Sequence, residues 1–234
     1  MNKGNWIVWL PFYLLVGILV IGISQGGSMA VTEVVQTMAE ENRHTVLIDP
    51  GHGGIDGGAT SCTGALESGI NLEISLKLRD LLELMGYRTN MVRTSDISVA
   101  TKGETIAETK ISDLKERVRM ANEKPGTVLV SIHQNTFSDS RYGGAQVFYA
   151  PTEGSRELAS RMQSAFVATV NPGSGRKCKA ADGVYLMQNI TCPGVLVECG
   201  FLSNPAEEVK LRDAAYQKQI CCVIAASLSM GLML

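Results

Sequence analysis

Three short apolar runs, separated by stretches of helical period, constrain this chain more than any other feature. Thr45–Asp49 (TVLID), Thr127–Ile132 (TVLVSI) and Val195–Glu198 (VLVE) read as buried-type strands. Between the first two, Asn71–Met85 places Ile74, Leu78, Leu81, Leu82 and Met85 in step, and Gly86 follows as a stop signal. Asp113–Glu123 reads as a charged amphipathic helix. Glu153–Val170 reads as another, with Ala159, Met162, Phe166 and Val170 in step. Tyr87–Val92, Ala145–Ala150 and Val184–Met187 complete the strand set. Strands alternating with helices predict an α/β sandwich around one central sheet. Ser95–Ser112 has little periodicity and reads as an inserted surface loop.

The ends differ from this middle. Trp6–Ser24 carries no charge and approaches the ~20 residues that cross a hydrocarbon core. Lys3 precedes it and no cation follows until Arg43, so the positive-inside bias keeps the N-terminus in the cytoplasm and exports the rest. Residues 1–25 are therefore a transmembrane anchor or a signal segment, the latter with Ser28 and Ala30 near a cleavage site. Residues 26–43 read as a polar linker, and 44–234 as one catalytic domain, membrane-anchored or exported, working outside the cytoplasm. The nearly uncharged Gln219–Leu234 suits a buried terminal helix better than a second span. The six cysteines include no C-x-x-C pair, which leaves a cysteine-based zinc site without support; Cys221 and Cys222 read as core-filling thiols. With 21 Lys+Arg against 23 Asp+Glu, the chain lacks the basic surface that nucleic acid requires. Aromatic residues, at 6%, leave little material for stacking sugars or bases.

Two of only three histidines stand beside the most strand-like runs: His52 in LIDPGHGGIDGGA and His133 in LVSIHQN. Ligands of open α/β sheets gather beyond the strand C-termini, where two imidazoles can meet at one metal ion. Catalytic zinc commonly takes two His and a carboxylate and leaves one position for water. Glu67, at the mouth of the first helix in GALESGINLE with Ser68 able to cap, is the candidate third ligand; Glu73, Asp49 and Asp56 are the alternatives. Asp49 suits tying down the turn, or orienting His52 through its second nitrogen. Glu198 ends an apolar strand, where a carboxylate is costly unless it is paired or functional. Beside a zinc-bound water it can move protons; the structural alternative is a salt bridge with Arg93 or Arg117. Asn135 is a candidate contact for substrate. The glycine run lacks the residues of a P-loop or a dinucleotide fingerprint, and no G-x-S-x-G is present.

DPGHGGIDGGA, Glu67, SIHQN and VLVECGFLSN, in this order, resemble the zinc-dependent N-acetylmuramoyl-L-alanine amidases of the amidase type 3 family. Arg93 with Asp96, and Arg117 with Ala121 and Asn122, match the family's intervening pattern. The resemblance implies a mixed twisted sheet flanked by helices on both faces and one zinc ion. It puts His52, Glu67 and His133 on the ligand positions and Glu198 on the catalytic glutamate. The substrate it implies is peptidoglycan, cut between N-acetylmuramic acid and L-alanine. Ser68 stands where a Lys is usual and Gln134 where a small residue is usual; both bear on substrate fit. The segment TKGETIAETKISDLKERV, with the hydrophobic N-terminus and the lack of wall-binding repeats, is similar to the germination-specific spore-cortex amidases. That subfamily strips peptides from cortex muramic acid at the cell wall or spore cortex. The Ser95–Ser112 insert is a candidate surface for an activating protein partner. A zinc peptidase of the stem peptide and an inactive wall-binding module are the competing functions.

Overall fold

The computed structural model describes residues 45–232; the anchor-or-signal segment and the linker lie outside them. The order of elements is β1 (Thr45–Pro50), α1 (Glu67–Leu84), β2 (Arg88–Met91), α2 (Ile106–Asn122), β3 (Thr127–Asn135), β4 (Gln146–Tyr149), α3 (Ser155–Thr169), β5 (Lys179–Ala180), α4 (Tyr185–Asn189), β6 (Gly194–Phe201), α5 (Pro205–Leu211) and α6 (Ala214–Leu232). The strands form one sheet in the order β2-β1-β3-β6-β4-β5. β2, β1, β3 and β6 run parallel, and β4 pairs antiparallel with β6. The sheet is therefore mixed.

Both faces are covered, which is why the central strands carry apolar side chains on each face. Along β1, Val46 and Ile48 pack with Ile74, Leu78, Phe166 and Ile224 on the α1, α3 and α6 side. Leu47, with Leu129 and Leu196, packs with Ala121, Leu186 and Met187 on the α2 and α4 side. Helix α6 is a core element, with Ile220, Cys221, Val223, Ile224 and Leu228 buried. Among the described residues no helix is long and apolar enough to cross a membrane.

Several expectations need correction. Val184–Met187 is the cap and start of helix α4, not a strand; a four-residue apolar run does not by itself distinguish the two. Helix α2 begins at Ile106, so part of the supposed surface loop is helical. A capping box starts it: Thr105 accepts from Glu108 N, and the Glu108 side chain returns to Thr105 N. Helix α1 begins at Glu67 with no side-chain cap. The N–H groups of Glu67 and Ser68 donate instead to the carbonyls of Ala59 and Gly57, at 2.9 and 3.1 Å. Cys221 is buried but Cys222 is exposed, so only the first fills the core; all six thiols are free.

Two buried arginines set the turn after β1. Arg117 pairs with Asp49 and Asp113, and donates to the carbonyls of Pro50 at 3.0 Å and His52 at 2.7 Å. Arg93 donates to Pro50 O, Gly51 O and Ser68 O at 3.0, 3.0 and 2.8 Å. Ser131 Oγ donates to the second oxygen of Asp49 at 2.6 Å. Asp49 and Arg117 are 1% and 3% exposed, so removal of either leaves a buried charge without its partner. Arg117→Ala is expected to cost about 3–5 kcal/mol in urea unfolding of the full-length chain. Arg119→Ala, which breaks the exposed pair with Glu116, is expected to leave the urea midpoint close to the wild-type value. Equal losses in the two variants would show that the Arg117 network does not hold this turn.

Candidate active site

The residues singled out in the sequence meet at the C-terminal edge of β1, β3 and β6. His52 follows β1, and His133 lies within β3, opposite Glu198 of β6 in register. Glu67 enters from the first turn of α1. One donor atom from each of His52, Glu67 and His133 lies within 4.8 Å of the other two. Glu67 Oε1 is 3.0 Å from His133 Nδ1, and Oε2 is 3.3 Å from His52 Nε2. The rings stand edge to face, with centroids 5.0 Å apart.

The local backbone leaves room for this approach. A Cβ on Gly51 would come within 2.2 Å of the His133 ring, so only glycine fits between the strands there. His52 itself adopts φ 62°, the only non-glycine residue in the left-handed region among the described residues. Such strain persists where surrounding contacts over-determine it, here the arginine contacts to the neighbouring carbonyls.

Glu67 is 3% exposed and its two oxygens are fully engaged. Oε1 also accepts from Gln134 N at 3.1 Å and Asn71 Nδ2 at 3.2 Å; Oε2 accepts from Ala59 N at 2.9 Å. Burial opposes its ionisation, but the hydrogen bonds and charges of His133 and His52 outweigh that and hold it well below the usual carboxylate range. Burial likewise disfavours the His52 imidazolium, yet Glu67 and Asp56 raise its pKa to about 9. An imidazole this strongly drawn to anions is in surroundings built to favour positive charge, which a divalent cation supplies equally well. Two imidazoles and a carboxylate suit zinc.

Glu198 stands apart. Its Oε2 is buried without a hydrogen-bond partner. Burial pushes its pKa up to about 7; the His133 and Glu67 charges act in opposite senses. The structural alternative fails, because Arg93 and Arg117 are committed to backbone carbonyls and to Asp49 and Asp113.

Among the alternatives to Glu67, Glu73 bonds Gln217 at 3.1 Å and stays out of the cluster. Asp49 ties down the turn through Arg117 and does not orient His52. That contact belongs to Asp56, whose Oδ2 is 2.9 Å from His52 Nδ1. Sequence reading misses Asn71, and it connects Gln134 only with substrate fit, not with Glu67. Asn71 is one helical turn from Glu67, the available signal, and donates to Gly51 O as well; Gln134 Nε2 donates to Asn71 Oδ1 at 3.1 Å. Ser68 is buried with an unpartnered hydroxyl rather than acting as a cap. The Asn135 side chain accepts from Thr136 N at 2.8 Å. A cavity of about 210 Å³ adjoins both rings, walled by Ile55, Lys110, Leu114, Val184, Leu186 and Leu196.

The N-acetylmuramoyl-L-alanine amidase family profile, Amidase_3, matches residues 46–230. The germination-specific N-acetylmuramoyl-L-alanine amidase of Bacillus subtilis (strain 168) is 36% identical over 180 residues, 76% of each chain. The CwlD amidase of Clostridioides difficile, solved in complex with the GerS lipoprotein, superposes with a TM-score of 0.78 at 36% identity, covering 82% of this chain and 99% of that one. An N-acetylmuramoyl-L-alanine amidase from Clostridium difficile 630 gives 0.70 at 32% identity, covering 81% and 96%.

His52→Ala and His133→Ala are each expected to abolish stoichiometric zinc uptake, read by metal analysis after gel filtration, with the far-ultraviolet circular dichroism retained. Full zinc occupancy in either variant would remove that ring from the ligand set.

Proposed function

The chain belongs to the N-acetylmuramoyl-L-alanine amidase family, and on that premise we propose that it cuts peptidoglycan at the amide joining the lactyl carbonyl of muramic acid to L-alanine. His52, Glu67 and His133 hold one zinc ion, and Glu198 is the proton-transfer residue. The observation that carries this reading is Glu198, with its Oε2 buried and unpartnered, set in register with His133 of a three-residue donor cluster.

Zinc, when bound, supplies a Lewis acid for the amide carbonyl and lowers the pKa of a water from ~16 towards ~7. Glu67 and the two imidazoles would hold that ion. Glu198, with a pKa near neutrality, takes a proton from the attacking water and returns it to the departing amine, a role that needs an acid and a base of closely matched strength. The adjoining cavity offers apolar walls for the groups flanking the scissile bond.

The germination-specific relative supports a role in spore-cortex maturation. The working compartment is then outside the cytoplasm, reached by way of the N-terminal segment as anchor or signal. The lipoprotein bound to the Clostridioides difficile neighbour supports a protein partner for this chain as well.

Glu198→Gln is expected to keep zinc and lose about 10²–10⁴-fold in turnover on purified peptidoglycan. Mass spectrometry of the wild-type products is expected to find peptide-free muramic acid and peptides with free L-alanine amino termini. Products cut only within the stem peptide would replace this reading with a peptidase, and intact muropeptides with a binding module.

A further inference from the structure

The loop that carries His52 is fixed in its backbone, but its imidazole needs a separate restraint. Arg93 and Arg117 hold the carbonyls of Pro50, Gly51 and His52, and none of those contacts touches the ring. The ring is held through Nδ1 by Asp56 Oδ2 at 2.9 Å. Asp56 is followed by Gly57 and Gly58, which add no side chains to limit it. Its other oxygen, Oδ1, receives Lys110 Nζ at 2.8 Å and Gly58 N at a longer 3.4 Å. Lys110 stands on α2, in the part of the 95–112 segment that proved to be helical. A second contact joins the same regions, from Gly54 N to Asp96 Oδ1 at 3.1 Å.

We propose that Lys110 is a positioning residue for His52: by clamping Asp56 it keeps the imidazole turned with Nε2 toward Glu67 and His133, and so tunes the affinity of the site for zinc. The inference rests on the zinc reading above. It gives the insert a function within the chain, since its helix reaches the candidate ligand set through one carboxylate.

The sign of the effect separates positioning from simple charge. A cation near a dication repels it, so loss of Lys110 acting through its field alone would tighten zinc binding. Loss of a clamp weakens it. Near 1 M salt the screening length falls to about 3 Å, which removes the longer-range field and leaves the 2.8 Å contact weakened in proportion to the exposure of Lys110. The pair is about half exposed at Lys110, at 47%, so the expected loss is modest, about three- to fivefold. Removal of the direct partner, Asp56, is expected to cost about 10–100-fold.

The test is zinc affinity by competition with a chromophoric chelator, in about 1 M sodium chloride, on the full-length chain and its Lys110→Met, Lys110→Arg, Asp56→Asn and Lys110→Met/Asp56→Asn variants. Lys110→Met is expected to weaken zinc three- to fivefold and Lys110→Arg to restore the wild-type value. In the Asp56→Asn background, Lys110→Met is expected to have no further effect, because its route to His52 is already broken. Wild-type or tighter binding by Lys110→Met overturns the proposal, as does an equal loss in both backgrounds. These outcomes leave the zinc reading intact when the wild-type chain binds one equivalent; failure of the wild-type chain to take up zinc would overturn both.

Discussion

The ion pair between Arg117 and Asp49 is the constraint on which the site depends. Two charges at 3% and 1% exposure have given up most of their hydration, a cost of several kcal/mol each. Coulomb attraction alone seldom offsets that, and here it is not alone. Ser131 satisfies the second Asp49 oxygen, Asp113 takes the guanidinium Nε, and the remaining donors go to Pro50 O and His52 O. A charge pair so fully hydrogen-bonded acts as a fixed bracket. It spans β1, β3 and α2, and its free donors end on the backbone of the residue that presents an imidazole. Arg93 braces the same turn from the other side and also reaches Ser68 O, the second residue of α1. The position of His52 relative to Glu67 is thus decided by two arginines that touch neither side chain.

Within that frame, two glutamates are driven in opposite directions. Glu67 lies at the N-terminus of α1, where partial positive charge favours a carboxylate, and accepts five contacts from rings, amides and a side-chain amide. Glu198, across from His133 on β6, receives none at Oε2 and has been raised to about 7. Environment alone holds one acid toward its ionised form and raises the other toward neutrality. This division is what a hydrolytic site requires of two carboxylates: one to hold charge, one to carry protons.

Much of the candidate site is legible because both histidines and Glu198 follow from the strand pattern. TVLID and TVLVSI locate two adjacent strands, with His52 just past the first and His133 inside the second; VLVE brings a costly acid into a third, although β6 continues past Glu198 to Phe201. What escaped reading depended on partners distant in sequence or on short local signals. Asp56 was weighed only as a ligand, because nothing in GHGGID shows that the chain doubles back to set its carboxylate on His52 Nδ1. Ser68 has the residue type of a cap, but the carbonyls of Gly57 and Ala59 had already satisfied the helix N–H groups. TKGETIAETK lacks an apolar face, so pattern alone starts helix α2 too late; Ile106 and Ile111 are both exposed, and a capping box rather than burial begins it. Val184–Met187 fits a strand and a helix equally well, because four apolar residues suit either period.

The departures from ordinary folding rules point to the same place by an independent route. Among the described residues, the single non-glycine in left-handed backbone is His52, and the single buried carboxylate oxygen without a partner is Glu198 Oε2. Each costs stability: about 1–3 kcal/mol for the backbone, and a comparable or larger sum for an unpaired buried polar group. Five other side chains hold an unpartnered buried atom, Ser68, Ser75, Gln134, Arg161 and Gln217; none is a carboxylate, and two of them, Ser68 and Gln134, directly follow Glu67 and His133 in the chain. A fold that packs Val46, Ile48, Leu129 and Val197 in complete burial on its central strands can sustain such costs at one edge. Strain and an orphaned acid gathered beside two converging imidazoles mark a place where stability has been exchanged for chemistry. That inference needs only backbone angles and hydrogen-bond partners, so it stands beside the family resemblance as a separate reason to look for catalysis at the C-terminal edge of β1, β3 and β6.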